Sequence, residues 1–219
     1  MKRLISLFPL AAVLGLAACG GNDAPDHGAP PATATLSVTD LEPGAYVVSV
    51  GDADNPTVGK YYAGTDGSRY LALADAEDKA TAIYRRDQGG SWVAAPGADA
   101  SASVKLLSQA AVPAASVDLA SLAGTYTTVL PGGASASFTV TAEGKIAPGA
   151  SACQLSGTLA AQAMPNTLGL KLSTSACGTL PASASASGVL AIDTDYQPAS
   201  FRLIADDGGC VVDLWAYRD

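Results

Sequence analysis

The sequence predicts an all-β protein: two small antiparallel β units, meander- or barrel-like, behind a signal segment and a tether. Three observations carry that expectation. Beyond residue 36, short apolar runs alternate with turn dipeptides such as Asp66-Gly67 and Glu143-Gly144, the punctuation of strands joined by hairpins. Only one stretch, Ser116–Gly124, has the make-up of a helical turn, with Ser116 placed to cap it and Gly124 to end it. Before residue 36 the composition is different, and the chain divides into 1–18 (signal peptide), 19–35 (tether), 36–112 (first β unit) and 116–219 (second β unit).

The opening Met1-Lys2-Arg3 followed by a largely apolar run from Leu4 to Ala18 has the charge, apolar core and small-residue end of a secretory signal peptide. The run falls short of the roughly 20 apolar residues that a membrane-spanning helix needs. Leu16-Ala17-Ala18-Cys19 resembles the lipobox of bacterial lipoproteins. The resemblance implies cleavage before Cys19, a diacylglyceryl group on its sulfur and acylation of the new amine with a palmitate-type chain. Buried acyl chains contribute about 0.8 kcal/mol per CH₂, enough for two or three of them to hold a domain on a bilayer. Gly20 stands where aspartate would signal inner-membrane retention in enterobacterial lipoproteins, so the resemblance implies the outer membrane as destination, with the lipid as the link to it.

Without Lys2 and Arg3, ten of the 12 basic residues remain against 20 acidic ones, a net charge of −10. So acidic a chain repels phosphate backbones, and nucleic acid is excluded as a partner. From Gly20 to Thr35 the sequence is rich in Gly, Pro and Ala, the composition of a flexible tether. The single histidine, His27, lies within it and reads as a solvated linker residue rather than a metal ligand.

In the first β unit the expected strands are Gly44–Val50, Lys60–Ala63, Ser68–Leu73, Thr81–Arg85, Ser91–Ala94 and Ser103–Ser108, with hairpins at Thr65-Asp66-Gly67 and Gln88-Gly89-Gly90. In the second, about eight strands from Thr125 to Tyr217 suit a small barrel or curled meander. The alternation Pro181–Ser187 reads as either an edge strand or a loop. Gly124-Thr125-Tyr126 and Arg218 resemble the G-x-W and the barrel-closing arginine of lipocalin-like proteins, with tyrosine in place of tryptophan. That resemblance implies a β-barrel.

Of the remaining cysteines, Cys153 and Cys177 are equidistant from Pro165, the turn of a hairpin, and are expected to form a disulfide. Pairing Leu159 with Leu170 or Leu172 sets Cys153 opposite Ala176 or Gly178, so the bridge requires a bulge or a bend after the strand. Cys210 shares strand parity with Val212 and Leu214 and is expected to be a free, buried thiol.

No catalytic device, metal site or cofactor motif is expected. A serine triad lacks its base, no C-x-x-C exists, and Asp52-Ala53-Asp54 lacks the later residues of a calcium loop. Asp193/Asp195 and Asp206/Asp207 are the only carboxylate pairs weighed for acid–base work, and both sit in turn contexts. Half of the aromatic residues beyond the signal lie between Tyr46 and Trp92. Adjacent Tyr61 and Tyr62 should face opposite sides of their strand, leaving one exposed beside Arg69 and Trp92 as a candidate partner-binding patch. The sequence thus points to a non-catalytic, lipid-anchored envelope protein that binds a protein or glycan partner or serves structurally. Alternatives are a carrier of a small apolar ligand in the C-terminal barrel and an envelope hydrolase.

Overall fold

The computed structural model describes residues 35–97 and 102–219, and the chain there is all-β: a closed eight-stranded barrel, a six-stranded sheet and a two-stranded parallel piece. The signal segment, Cys19, His27 and nearly all of the tether lie outside the described residues. Residues 34–219 form one compact unit, in which the sheet and the barrel share a core.

The barrel is an up-and-down meander of β9 (Gly124–Val129), β10 (Ser135–Val140), β11 (Lys145–Pro148), β12 (Gln154–Ala160), β13 (Thr167–Ser175), β14 (Ser183–Ala191), β15 (Phe201–Asp206) and β16 (Val211–Arg218). Each strand pairs with its neighbour in sequence, and β16 closes on β9. Alternation decides which side chains enter. On β13, Leu168, Leu170 and Leu172 point in, and on β16 Val212, Leu214 and Ala216 do the same. Tyr126, Phe138 and Phe201 meet inside with centroids 4.6–6.3 Å apart, so the barrel is filled by its own side chains. The Ala/Ser alternation is strand from Ser183 onward, admitted because Ala186 is small enough to lie inside with no exposure.

One end of the barrel is shut by the 3₁₀ turn Ala120–Leu122, with Leu122 in the barrel core. Its N-cap is Leu119, not Ser116; the residue before it, Asp118, accepts from the Ala120 amide through Oδ1 at 3.2 Å, and Gly124 begins β9 rather than ending a helix. Arg218 joins this turn to the barrel mouth. Its guanidinium lies 5.2 Å from the centre of the Tyr126 ring and donates to the Tyr126 hydroxyl (2.8 Å), Ser121 O (3.0 Å) and Ala123 O (3.2 Å).

The disulfide joins Cys153 to Cys177. Leu159 pairs with Leu170, which sets Cys153 across from Ala176. The bridge reaches one residue further because β13 ends at Ser175 and Ala176 takes a φ of +56°. Cys210 is free but exposed, contrary to the expected burial: β16 begins only at Val211, and the Asp206–Gly209 turn holds Cys210 outside the alternating strand.

The sheet runs β6 (Val93–Ala95), β5 (Ala80–Arg86), β4 (Arg69–Ala74), β3 (Pro56–Ala63), β2 (Gly44–Gly51), β8 (Leu106–Val112). Both of its faces are covered over the central strands. Tyr62, Tyr70 and Ala72 face the outside of the barrel, while Tyr61, Leu71 and Leu73 are covered by Val38 and Leu41. This overturns the expectation that Tyr61 or Tyr62 is exposed. Tyr61 and Tyr62 are 0% and 2% exposed, and their hydroxyls meet Thr39 O and the Tyr196 hydroxyl. Val38 belongs to β1 (Ser37–Val38), which pairs in parallel with β7 (Ser103–Val104).

Strands β14 and β15 pack without room for a side chain at Gly188. A Cβ there would lie 2.0 Å from Ile204 O and 2.6 Å from Ala205 Cα, both backbone atoms. Gly188→Ala should therefore lower stability by about 2 kcal/mol as the strands are forced apart. Gly169→Ala, whose Cβ would come no closer than 3.4 Å to the Gln162 side chain and 3.7 Å to Ala160 O, should be near neutral. Urea unfolding of the two variants checks the difference.

Candidate functional site

Charged side chains set in apolar strands build the seam between barrel and sheet. In β15, Phe201, Leu203 and Ala205 face the lumen, so Arg202, Ile204 and Asp206 face the sheet. Arg202 (3% exposed) forms a fork with Asp213 of β16, Nε to Oδ1 at 2.7 Å and Nη2 to Oδ2 at 2.6 Å. The same two groups hold the sheet: Asp213 Oδ2 accepts the Ala80 amide at 2.6 Å, and Arg202 Nη2 donates to Asp78 O at 2.6 Å. Trp215 stacks beneath the guanidinium, 4.6 Å away, and meets the Tyr196 ring edge-on.

Two cations of the sheet also form ion pairs across the seam. Arg85 Nε donates to Asp206 at 3.0 Å, and Lys60 Nζ reaches Asp193 at 2.5 Å. Burial works to lower the Lys60 pKa, but the hydrogen bond and charge of Asp193 outweigh it and leave Lys60 above its ordinary value. Burial likewise acts to raise Asp193, and the Lys60 contact overcomes it, holding the carboxyl below its ordinary value. Tyr70, buried against the barrel and donating to Ile204 O at 3.0 Å, is pushed well above the ordinary tyrosine range by burial and stays protonated. Three of the four carboxylates weighed for acid–base work are thus committed elsewhere. Asp206 and Asp193 neutralise cations; Asp207 caps its own turn through the Gly209 and Cys210 amides (3.1 and 2.9 Å); Asp195 lies 3.6 Å from Lys60.

Two hollows flank the seam. A polar groove of about 390 Å³ runs between the sheet and the outer face of β12–β14; Arg85, Arg86, Gln88, Thr158, Gln162 and Lys171 line it. Lys171 donates to Ser187 Oγ at 2.9 Å and has no carboxylate within 4.0 Å among the described residues. On the groove's wall, Arg69 and Arg86 both bind Asp40, at 2.5 and 2.7 Å, and Arg86 stacks on half-buried Trp92 at 5.1 Å. Arg69 is itself 9% exposed, so of the four residues expected to form a partner-binding patch only Trp92 offers appreciable surface. The second hollow, about 370 Å³ and mainly apolar, is lined by Val112, Pro113, Val117 and Ile192, with Asp118 and Asp193 also lining it.

The strap between sheet and barrel is fixed beside that cleft by Asn166. Its side chain donates to Pro113 O (2.9 Å) and accepts from the Ala115 amide (2.6 Å), and its own amide donates to Ala115 O (2.8 Å). A φ of +60° allows this geometry, which asparagine tolerates better than most residues.

Chemically the polar groove offers guanidinium, ammonium, carboxamide and hydroxyl groups beside the carboxylates of Asp66 and Asp87, a mixed donor and acceptor set that suits hydroxyl-rich ligands. Among the described residues no group of three or more His, Cys, Asp or Glu side chains could hold a metal ion, and no helix is long and apolar enough to cross a membrane. Comparison with family models, curated proteins and solved structures finds no match.

Sequence reasoning missed the seam residues Arg85, Arg202 and Asp213, although a signal existed. Phe201-Arg202-Leu203-Ile204-Ala205 and Val211-Val212-Asp213-Leu214-Trp215 each carry one charge inside an apolar strand. Opposite charges in adjacent hydrophobic strands mark a surface that another element must cover. Asp213→Asn should cost about 3–5 kcal/mol, because it leaves Arg202 buried with its charge uncompensated. Thermal and urea unfolding measure it, and a loss below about 1 kcal/mol would show the seam to be wetter than its burial indicates.

Proposed function

We propose that this chain is a lipid-anchored, non-catalytic protein of the bacterial outer membrane whose sheet-and-barrel unit binds a hydroxyl-rich, glycan-type partner through the polar groove. The observation that carries the binding role is that groove. It gathers Arg85, Arg86, Lys171, Gln88 and Gln162, with Asp66 and Asp87 as acceptors, and Lys171 has no carboxylate partner among the described residues. The anchoring role rests on Leu16-Ala17-Ala18-Cys19 at the end of an apolar run. The Cys153–Cys177 disulfide supports an oxidising compartment. A binding module is favoured over a carrier because Tyr126, Phe138 and Phe201 occupy the lumen. It is favoured over a hydrolase because Asp193 and Asp206 are held by Lys60 and Arg85.

Anchoring is tested by fractionating cells that make the wild-type chain and Cys19→Ser. The wild type should sediment with outer membranes and show acyl masses on an N-terminal Cys19. Cys19→Ser should lose both, whereas an unmodified wild-type N-terminus defeats the reading. Groove binding is tested on a glycan array. Lys171→Glu should weaken any retained glycan at least tenfold, about 1.4 kcal/mol, without shifting the unfolding midpoint. Equal binding by wild type and variant removes the groove from the proposal.

A further inference from the structure

The apolar cleft beside the strap has walls that are already built. Val117 and Ile192 pack on the barrel core and Val112 on the core of the seam, and all three are half-buried residues that line the cleft of about 370 Å³. Asn166 fixes both sides of it. Its side chain and amide hold the strap at Pro113 and Ala115, and its carbonyl accepts the Ile192 amide at 2.9 Å. A cavity tied together in this way is pre-formed, so a ligand does not have to order its walls on binding. Its volume lies at the small end of ligand sites and suits a single small molecule.

The charges lining this cavity are of one sign. Arg69, Arg85, Arg86 and Lys171 line the polar groove, whereas Asp118 and Asp193 line the cleft with no Arg or Lys beside them. Asp193 is held by Lys60, which also has Asp195 at 3.6 Å, so two carboxylates share one ammonium there. Asp118 has no cation within 4.0 Å among the described residues. Its Oδ1 accepts the Ala120 amide, and its Oδ2 has no hydrogen-bond partner among the described residues. Such a cavity selects the converse in its ligand. Val112, Val117 and Ile192 take a hydrocarbon or aromatic body out of water, and an ammonium group brings the donors and the charge that Asp118 lacks. A carboxylate or phosphate ligand would meet like charge instead.

We propose that this cleft is a binding site for a small amphiphilic cation, a molecule with one ammonium group on an apolar body, and that the ammonium pairs with Asp118. The site is separate from the groove of the proposed function and does not rest on it, since the two hollows share no lining residue.

The test is a titration of the isotope-labelled full-length Cys19→Ser chain, kept free of detergent and followed by amide NMR shifts. 2-Phenylethylammonium should bind, with shifts confined to residues 112–118 and 192–194. 2-Phenylethanol, of the same size but uncharged, should bind about fivefold more weakly, the loss of one partly exposed ion pair. 3-Phenylpropanoate should give no saturable shift. Asp118→Asn keeps an Oδ1 acceptor for the Ala120 amide, so the unfolding midpoint should stay at its starting value. The variant should bind the ammonium probe as weakly as the alcohol and leave the alcohol's affinity unchanged. Equal affinity of the unsubstituted cleft for amine and alcohol overturns the proposal, whatever the variant's stability. Shifts centred on Arg85 and Lys171, undiminished amine binding by Asp118→Asn, or no saturable shift with the amine overturn it as well.

Discussion

The seam between the two halves of this molecule is organised around one buried ion pair. Arg202 and Asp213 sit on adjacent barrel strands, yet each also binds sheet backbone, at Asp78 O and the Ala80 amide. Taking two such charges out of water costs several kcal/mol per ion, and their attraction offsets that only when every donor and acceptor finds a partner. The fork geometry, the two backbone contacts and the Trp215 ring meet that condition together. The pair therefore specifies where the sheet sits more than it adds net stability. A hydrophobic replacement could hold the two surfaces together but would not choose the register of β5 against β16.

That requirement explains the distribution of the remaining charges. Arg85–Asp206 and Lys60–Asp193 repeat the device further along the seam, each joining a sheet cation to a barrel carboxylate. This arrangement sets Lys60 and Arg85 of the sheet against the barrel. What is left over, Lys171 and the outer atoms of Arg85 and Arg86, lines the polar groove. The set of polar groups in the groove is thus a by-product of how the halves are joined.

The barrel was legible in the sequence almost strand by strand, because alternation of apolar and polar residues is a local signal and the turns carry glycine and aspartate. The disulfide was legible too, including the need for a bend, since a hairpin fixes register through its turn. The patch at Tyr61 and Tyr62 was not. Strand parity correctly puts the two rings on opposite faces, but only tertiary structure reveals that Leu41 and Val38 cover one face while the barrel covers the other. Cys210 failed for a related reason: parity counts from where a strand starts, and the Asp206–Gly209 turn delays β16 by one residue. Asn166 reads locally as a turn residue. Its role as clamp for the strap depends on Pro113 and Ala115, about fifty positions earlier, which periodicity cannot report.

Arg218 stacks on Tyr126 from a position 92 residues away in sequence, and β9 gains its second neighbour only when β16 arrives. Barrel closure therefore depends on long-range pairing, whose loop-closure cost exceeds that of the local hairpins. Until then β9 and β15 both present raw edges, and the hydrophobic lumen is open along its length. A chain that lost its last eight residues would keep most of its strands in register and still fail to be a barrel. It would be a curled sheet with two sticky margins.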